Sequence, residues 1–175
     1  MKSSSDGGFA ISSYHLQAHL DKDLFNNRIW ALLGDGCMQE DVTLGAASLA
    51  GHLKLSNLIW YYDKNNQQIS GSIDRASSDN IKEIFIGFGW QVIEVDGHDH
   101  NELRACLDVA ISKRKSPLLI IGTSIIAKGA ATLEGSCKSH GAPFSEEEQE
   151  QTLLKFGIKN DDTIFEFPLD FQKHF

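Results

Sequence analysis

Short, largely apolar runs alternate along the chain with longer segments in which apolar residues recur at helical spacing. The short runs predict buried β-strands at residues 28–33, 57–62, 91–95 and 118–124. The longer segments predict helices at residues 9–20, 39–53, 81–88, 101–113 and 145–156. Because helices and strands alternate, we expect an α/β fold: an open, doubly wound parallel sheet with helices on both faces.

The two ends of the chain lack this pattern. Residues 1–7 are polar and rich in Ser and Gly, which predicts a disordered or irregular lead-in. Residues 8–158 carry the alternating pattern and predict one domain, and residues 159–175 predict an irregular C-terminal tail. Within the domain, residues 125–143 predict a long loop, and long loops in compact domains are usually functional.

Short polar side chains precede two of the predicted helices. We expect Ser78 or Asp79 to cap the helix at 81–88, and Ser145 to cap the last helix. The acidic run that follows Ser145 is explained by the helix dipole, which favours carboxylates in a first turn. In the first helix, Phe9, Leu16 and Leu20 are expected to share one face.

Composition narrows the class of protein. The formal net charge of −8 makes nucleic acid an improbable partner. No apolar run approaches the roughly twenty residues that a membrane-spanning helix needs, and the N-terminal residues lack the apolar core of a signal peptide. The three cysteines form no Cys-x-x-Cys pair, which favours reduced thiols over a zinc site. We therefore predict a cytoplasmic protein that binds neither nucleic acid nor membrane.

Polar residues follow the first two predicted strands. Asp35 lies between two glycines just after the first strand, and Asn65 lies just after the second. Open α/β sheets bind their ligands at the carboxyl ends of the strands. Carboxylate and carboxamide oxygens suit Mg²⁺ or Ca²⁺, and glycines let a phosphate oxygen approach backbone N–H groups. An Asp-Gly pair is also ordinary turn chemistry, but together these residues suggest a divalent cation holding a diphosphate.

Four longer motifs occur in order along the chain. Taken together, they resemble transketolase of the bacterial and yeast type, and the similarity extends from about Gly8 to about Gly157. The motifs are Gly34-Asp35-Gly36-Cys37-Met38-Gln39-Glu40, Ser48-Leu49-Ala50-Gly51-His52-Leu53-Lys54-Leu55, Val95-Asp96-Gly97-His98-Asp99 and Ser139-His140-Gly141-Ala142-Pro143. The resemblance implies a thiamine diphosphate-binding fold, here truncated, with thiamine diphosphate and Mg²⁺ (or Ca²⁺) as cofactors.

The resemblance also implies a set of metal ligands. The side chains of Asp35 and Asn65 and the main-chain carbonyl of Gln67 would bind the cation, and Gly36 would donate its backbone N–H toward the diphosphate. The family usually has Asn-Gly followed by an aliphatic residue, whereas this chain has Asn65, Asn66 and Gln67. A backbone ligand tolerates that difference, and Asn66 remains an alternative to Asn65 as the side-chain ligand.

Two further residues receive catalytic roles from the resemblance. His140 would contact the cofactor diphosphate and the substrate hydroxyls, where an imidazole can donate or accept a proton near neutral pH. Glu40 would lie at the dimer interface, in a hydrogen-bonded network between two cofactors. Asp41 replaces the glycine that normally follows, which adds a charge beside Glu40. We expect His98 to be structural, in the turn after the third strand.

The resemblance implies a function for the chain as part of a complete enzyme. That enzyme would transfer a two-carbon ketol unit from a ketose phosphate to an aldose phosphate. Sugar phosphates are then the expected substrates, and the expected assembly is a homodimer or a pairing with a chain that carries a pyrimidine domain. The alternative is a truncated, non-catalytic fragment or metal-binding scaffold that needs such a complementary chain.

Overall fold

The computed structural model describes residues 2–158, in which helices cover both faces of a parallel sheet. The helices of this part are α1 (Lys2–His19), α2 (Asp35–Met38), α3 (Asp41–His52), α4 (Ile81–Gly87), α5 (His100–Ile111) and α6 (Glu146–Lys155). Its strands are β1 (Ile29–Gly34), β2 (Leu58–Lys64), β3 (Gln67–Gln68), β4 (Gly71–Ser72), β5 (Gln91–Asp96) and β6 (Leu118–Thr123). The predicted tail at residues 159–175 lies outside the described residues.

The main sheet has the strand order β1-β2-β6-β5, and every pairing in it is parallel. Gly34 at the end of β1 pairs with Asp63 of β2, which pairs with Gly122 of β6. The carboxyl ends of these strands therefore lie side by side at one edge of the sheet. The sheet confirms the predicted α/β class, and its four strands lie within two residues of their predicted bounds.

Alternate residues of the central strands point into two separate cores. Trp60 and Tyr62 of β2 pack on the side covered by α1, α3 and α4, where Trp60 also meets the rings of Phe85 and Trp90. Ile59 of β2 packs on the other side with Cys106 of α5. A strand that is buried on both faces reads as a continuous apolar run, as the sequence of β2 does. Helices thus cover both faces, as predicted.

Two glycines let backbone or side chains approach closely. A Cβ on Gly122 would lie 2.0 Å from Tyr61 Oη, and one on Gly51 would lie 1.8 Å from the carbonyl oxygen of Phe88. Gly122 therefore leaves room for a tyrosine ring beside β6. Gly51 lets α3 touch the turn that ends α4. None of the described helices is long and apolar enough to cross a membrane.

The predicted irregular lead-in at residues 1–7 is wrong, because α1 already begins at Lys2. The shared apolar face of this helix is also not its buried face: Phe9 and Leu20 are 62% and 69% exposed. Ala10 and Ser13 are buried instead. Ser13 Oγ lies 2.9 Å from Phe25 O and 2.7 Å from an oxygen of the Asn27 side chain. Small buried residues and tertiary hydrogen bonds, including one from Asn57 Nδ2 to Ala10 O at 3.2 Å, therefore hold a helix that propensity does not favour.

At two helices the observed N-terminus differs from the predicted one. The cap of α4 is Asn80, whose side chain accepts a hydrogen bond from Glu83 N at 3.3 Å, and not Ser78 or Asp79. The helix predicted at residues 39–53 begins at Asp41, and the single turn of α2 precedes it. The cap predicted at Ser145 is confirmed, since its hydroxyl accepts from Glu148 N.

Candidate active site

A cavity of about 460 Å³ opens at the carboxyl ends of β1 and β2. It is lined by six of the residues that the sequence predicted for the site, and these lie in α2, just before α3, after β2 and in the long loop. They are Asp35, Gly36, Glu40, Asn65, Gln67 and His140. Parallel strands of matched register bring these separate segments together, because their carboxyl ends share one edge.

Asp35 is the most deeply buried of these residues, with 2% of its surface exposed. It is the first residue of α2, directly after β1. Tyr62 Oη donates a hydrogen bond of 2.6 Å to Asp35 Oδ1, and Asn65 N donates a longer one of 3.3 Å to Oδ2. Burial, and then this bond to Asp35, raises the pKa of Tyr62 well above its usual range. The phenol therefore stays protonated and donates, while Oδ2 is only weakly engaged.

The side chain of Asn65 is held from both ends. Its Nδ2 donates to Asp63 Oδ2 at 3.1 Å, and its Oδ1 accepts from Gln67 N at 3.0 Å. The other oxygen of Asp63 accepts a hydrogen bond from Ser124 Oγ. Sequence analysis assigned no role to Tyr62, Asp63 or Ser124. In the sequence, Asp63 and Ser124 are marked only by being polar residues at the ends of two apolar strands.

Asn65 and Asn66 line different cavities. Asn65 lines the site cavity, whereas Asn66 lines a neighbouring cavity of about 510 Å³ together with Tyr62 and Lys64. Asn66 has a φ of 59°, a left-handed conformation that Asn adopts more easily than most residues. The geometry therefore favours Asn65 over Asn66 as a residue of the site.

The loop that carries His140 is tied down at several points. Glu148 of α6 is 6% exposed and accepts hydrogen bonds from Thr132 N at 2.9 Å, Thr132 Oγ1 at 2.5 Å and Leu133 N at 3.2 Å. These hydrogen bonds, first those from Thr132, hold the pKa of Glu148 below its usual range. Near the start of the loop, Ile125 N donates to His98 Nε2 at 2.9 Å, a structural contact.

The role of Glu148 was not predicted from the sequence. The acidic run was explained by the helix dipole alone, but one of its carboxylates anchors the loop. A Glu three residues after a capping Ser is a recognised helix-start pattern, so the spacing of Ser145 and Glu148 marks the residue in the sequence. It does not reveal that the side chain reaches a distant loop.

The cavity is acidic. Asp35, Glu40 and Asp63 line it, and within residues 2–158 neither Lys nor Arg does. A diphosphate entering such a cavity would meet like charge, unless a divalent cation entered with it. Within residues 2–158 no group of three or more His, Cys, Asp or Glu side chains is placed to hold a metal ion. A cation here would therefore depend on amide and carbonyl oxygens beside Asp35.

Comparison with known proteins points to one family. The sequence profile described as "Transketolase, thiamine diphosphate binding domain" matches residues 4–175. A transketolase of Buchnera aphidicola is 39% identical over 145 residues, which are 81% of this chain and 22% of that protein. A transketolase of Bacillus subtilis is 35% identical over 172 residues, which are 96% of this chain and 26% of that protein.

Solved structures of transketolases are also similar to this chain. The crystal structure of transketolase from Campylobacter jejuni has a TM-score of 0.85 and 41% identity, and covers 89% of this chain and 24% of its own. A Pichia stipitis transketolase in complex with xylulose-5-phosphate has a TM-score of 0.87 and 29% identity, over 98% of this chain and 26% of its own. This chain thus spans about a quarter of the length of these relatives. The chain belongs to the transketolase family and corresponds to its thiamine diphosphate-binding domain.

Proposed function

We propose that the acidic cavity binds the diphosphate of thiamine diphosphate through a divalent cation, Mg²⁺ or Ca²⁺. The ligands are a side-chain oxygen of Asp35, Oδ1 of Asn65 and the main-chain carbonyl of Gln67, and Gly36 directs its N–H at the diphosphate. The observation that carries this proposal is the buried carboxylate of Asp35: among the described residues, its Oδ2 has one contact of 3.3 Å, and the adjoining cavity is lined by neither Lys nor Arg.

The donor set fits a hard cation. Mg²⁺ and Ca²⁺ prefer carboxylate, amide and carbonyl oxygens, and Asp35 and Asn65, which line the cavity, carry a carboxylate and an amide. Asn65 Oδ1 already accepts from Gln67 N, but an amide oxygen has a second lone pair for a metal. When bound, thiamine diphosphate supplies a carbanion at its thiazolium carbon. The residues of this chain hold and orient it.

The wider function is the ketol transfer of a complete transketolase. His140 lines the cavity on an anchored loop, where its imidazole can exchange a proton with a substrate hydroxyl. Sugar phosphates are the proposed substrates. Two Pichia stipitis structures support this class, since those proteins were solved with xylulose-5-phosphate and with sedoheptulose-7-phosphate.

The proposed assembly is a homodimer or a complex with a pyrimidine-domain chain. Val42, Leu49 and Leu53 at α3 are exposed although apolar, and apolar exposed patches often mark interfaces. Glu40, at the start of the same helix, makes no cap hydrogen bond with its side chain, so it is available to a partner. A cytoplasmic location stays a prediction, supported by three unpaired thiols at Cys37, Cys106 and Cys137.

Calorimetric titration of thiamine diphosphate, with and without Mg²⁺, tests the cation-bridged site. Binding should require Mg²⁺, and each ligand should tighten the other by the same factor. Asp35→Asn keeps the shape and removes the charge, so it should weaken binding by roughly 10- to 150-fold, the equivalent of about 1.5–3 kcal/mol. Asp41→Asn is the matched control, because Asp41 carries the same charge six residues away but does not line the cavity.

Two results would overturn this site. Binding that is equally tight without a divalent cation would remove the metal bridge. An Asp35→Asn variant that binds as tightly as the Asp41→Asn control would remove Asp35 from it.

A further inference from the structure

We infer that Asp63 is a positioning residue for the cation site: it sets which end of the Asn65 amide faces the cavity. This inference rests on the proposed function, since it concerns the same cation. Asp63 lies at the end of β2, two residues before Asn65, and lines the cavity. Among the acidic residues that line the cavity, Asp63 is the one without a role: neither the family's motifs nor the proposed ligand set includes it.

The orientation of an asparagine amide is decided by its neighbours. Its oxygen accepts hydrogen bonds and its nitrogen donates them, so rotation by half a turn exchanges a metal ligand for a group that repels a cation. The carboxylate of Asp63 can only accept, and it lies 3.1 Å from Nδ2 of Asn65. The backbone N–H of Gln67 can only donate, and it lies 3.0 Å from Oδ1. Both neighbours therefore require the same orientation.

Asp63 is itself oriented by the next strand. Ser124 follows β6, and its hydroxyl donates to Oδ1 of Asp63, which leaves Oδ2 for Asn65. Ser124 is fixed in turn, because its backbone N donates to Lys64 O at 3.0 Å. A chain of three side chains thus runs from the end of β6 to the proposed metal ligand. Neighbours of a ligand that fix its orientation typically contribute to metal affinity.

Two variants separate this role from that of a metal ligand or a simple charge. Asp63→Asn loses the charge, but its amide oxygen can still accept from Asn65 and its amide nitrogen can donate to Ser124. Asp63→Ala loses both contacts. A positioning role predicts that Asp63→Asn keeps the affinity, whereas a ligand or charge role predicts that both variants lose it.

The test combines titration and side-chain NMR. In calorimetric titration of thiamine diphosphate with Mg²⁺, Asp63→Ala should bind roughly tenfold more weakly, and Asp63→Asn should stay within about threefold of the parent. In ¹⁵N-resolved spectra without ligand, the side-chain NH₂ resonances of Asn65 should shift in Asp63→Ala, which removes their acceptor, and change little in Asp63→Asn. If Asp63→Ala does not fold, Ser124→Ala should move the same resonances, because it releases the carboxylate.

The outcomes distinguish this inference from the proposed function. Equal losses of affinity in Asp63→Asn and Asp63→Ala would overturn positioning while leaving the cation site intact. Unchanged Asn65 resonances in Asp63→Ala, or in Ser124→Ala where that variant replaces it, would also overturn positioning. A parent chain that does not bind thiamine diphosphate at any Mg²⁺ concentration would contradict the proposed function, and the NMR comparison would still decide the role of Asp63.

Discussion

Asp35 and Glu148 are both carboxylates buried in the described part of the chain, yet their hydrogen-bond partners differ. Glu148 accepts from two backbone N–H groups and one hydroxyl, so both of its oxygens have close donors. Asp35 accepts one short bond from Tyr62 and one long contact from Asn65 N. A buried charge is costly unless it is paired or hydrogen-bonded. Glu148 meets that demand within the fold, whereas Asp35 meets it only in part.

This contrast separates a structural carboxylate from one that is placed to bind a ligand. Burial alone does not distinguish them, since both side chains are almost fully buried. The useful observation is the number and length of the donors on each oxygen, together with an adjoining cavity. Glu148 stabilises the loop at Thr132 and Leu133, and Asp35 leaves an oxygen for a cation.

Glu148→Ala should destabilise the protein more than any other variant in this comparison. It deprives three donors at Thr132 and Leu133 of their acceptor, while alanine remains a good helix former. Thermal unfolding should show the largest drop in midpoint, and hydrogen exchange should be faster at the amides of Thr132 and Leu133. Glu150→Ala, an exposed carboxylate of α6, is the control and should change little. Equal midpoints for the two variants would contradict the loop anchor.

The contribution of Glu148 should depend on pH in a defined direction. Its pKa is lower in the folded state than the ordinary value of 4.5. The folded state therefore favours the charged form, and this stabilisation is fully present above the unfolded pKa and is lost as the pH falls through the folded pKa. The stability difference between the parent and Glu148→Gln should be constant near neutral pH and shrink below about pH 4.5. A difference that grows in acid would contradict the assignment.

Tyr62→Phe should destabilise the fold by about 1.5–3 kcal/mol, because it removes the one short hydrogen bond to a buried charge. The phenyl ring keeps the packing of Tyr62 in the core. Urea unfolding of this variant and of Tyr61→Phe makes the comparison direct, since Tyr61 is the adjacent, partly exposed tyrosine of β2. The control should change by less than about 0.5 kcal/mol. If both variants lose equally little, the bond from Tyr62 does not stabilise the charge of Asp35.

Ser145→Ala should have the smallest effect, a loss of about 1 kcal/mol, typical of a helix N-cap. Its hydroxyl accepts from Glu148 N at 3.2 Å, so the variant loosens the helix start without removing the Glu148 carboxylate. Equilibrium unfolding measures the loss, and Ser145→Asp should retain most of the stability because Asp also caps helices. A loss as large as that of Glu148→Ala would mean that the cap, and not the carboxylate, holds the loop.

Much of the architecture follows from the sequence because its signals are local. The four apolar runs have the length and composition of buried strands, and each lies within two residues of its observed bounds. The six residues predicted for the site follow from the motifs, from the polar residues at strand ends and from the ligand set that the resemblance implies, and the parallel strands bring them to one cavity. The family that the motifs resemble is confirmed by the profile match over residues 4–175.

The remaining features were decided by contacts between distant segments. The start of α1 at Lys2 was not predicted, because a Ser- and Gly-rich segment is a poor helix former and the helix is held by tertiary contacts, such as the packing of Ala10 and the hydrogen bonds of Ser13. The choice between Asn65 and Asn66 depends on which cavity each side chain lines. The bond from Ser124 to Asp63 spans 61 residues, and that from Thr132 to Glu148 spans 16. A sequence pattern shows which residues can form such bonds, but only the tertiary structure brings their atoms within reach, because hydrogen bonding falls off over fractions of an ångström.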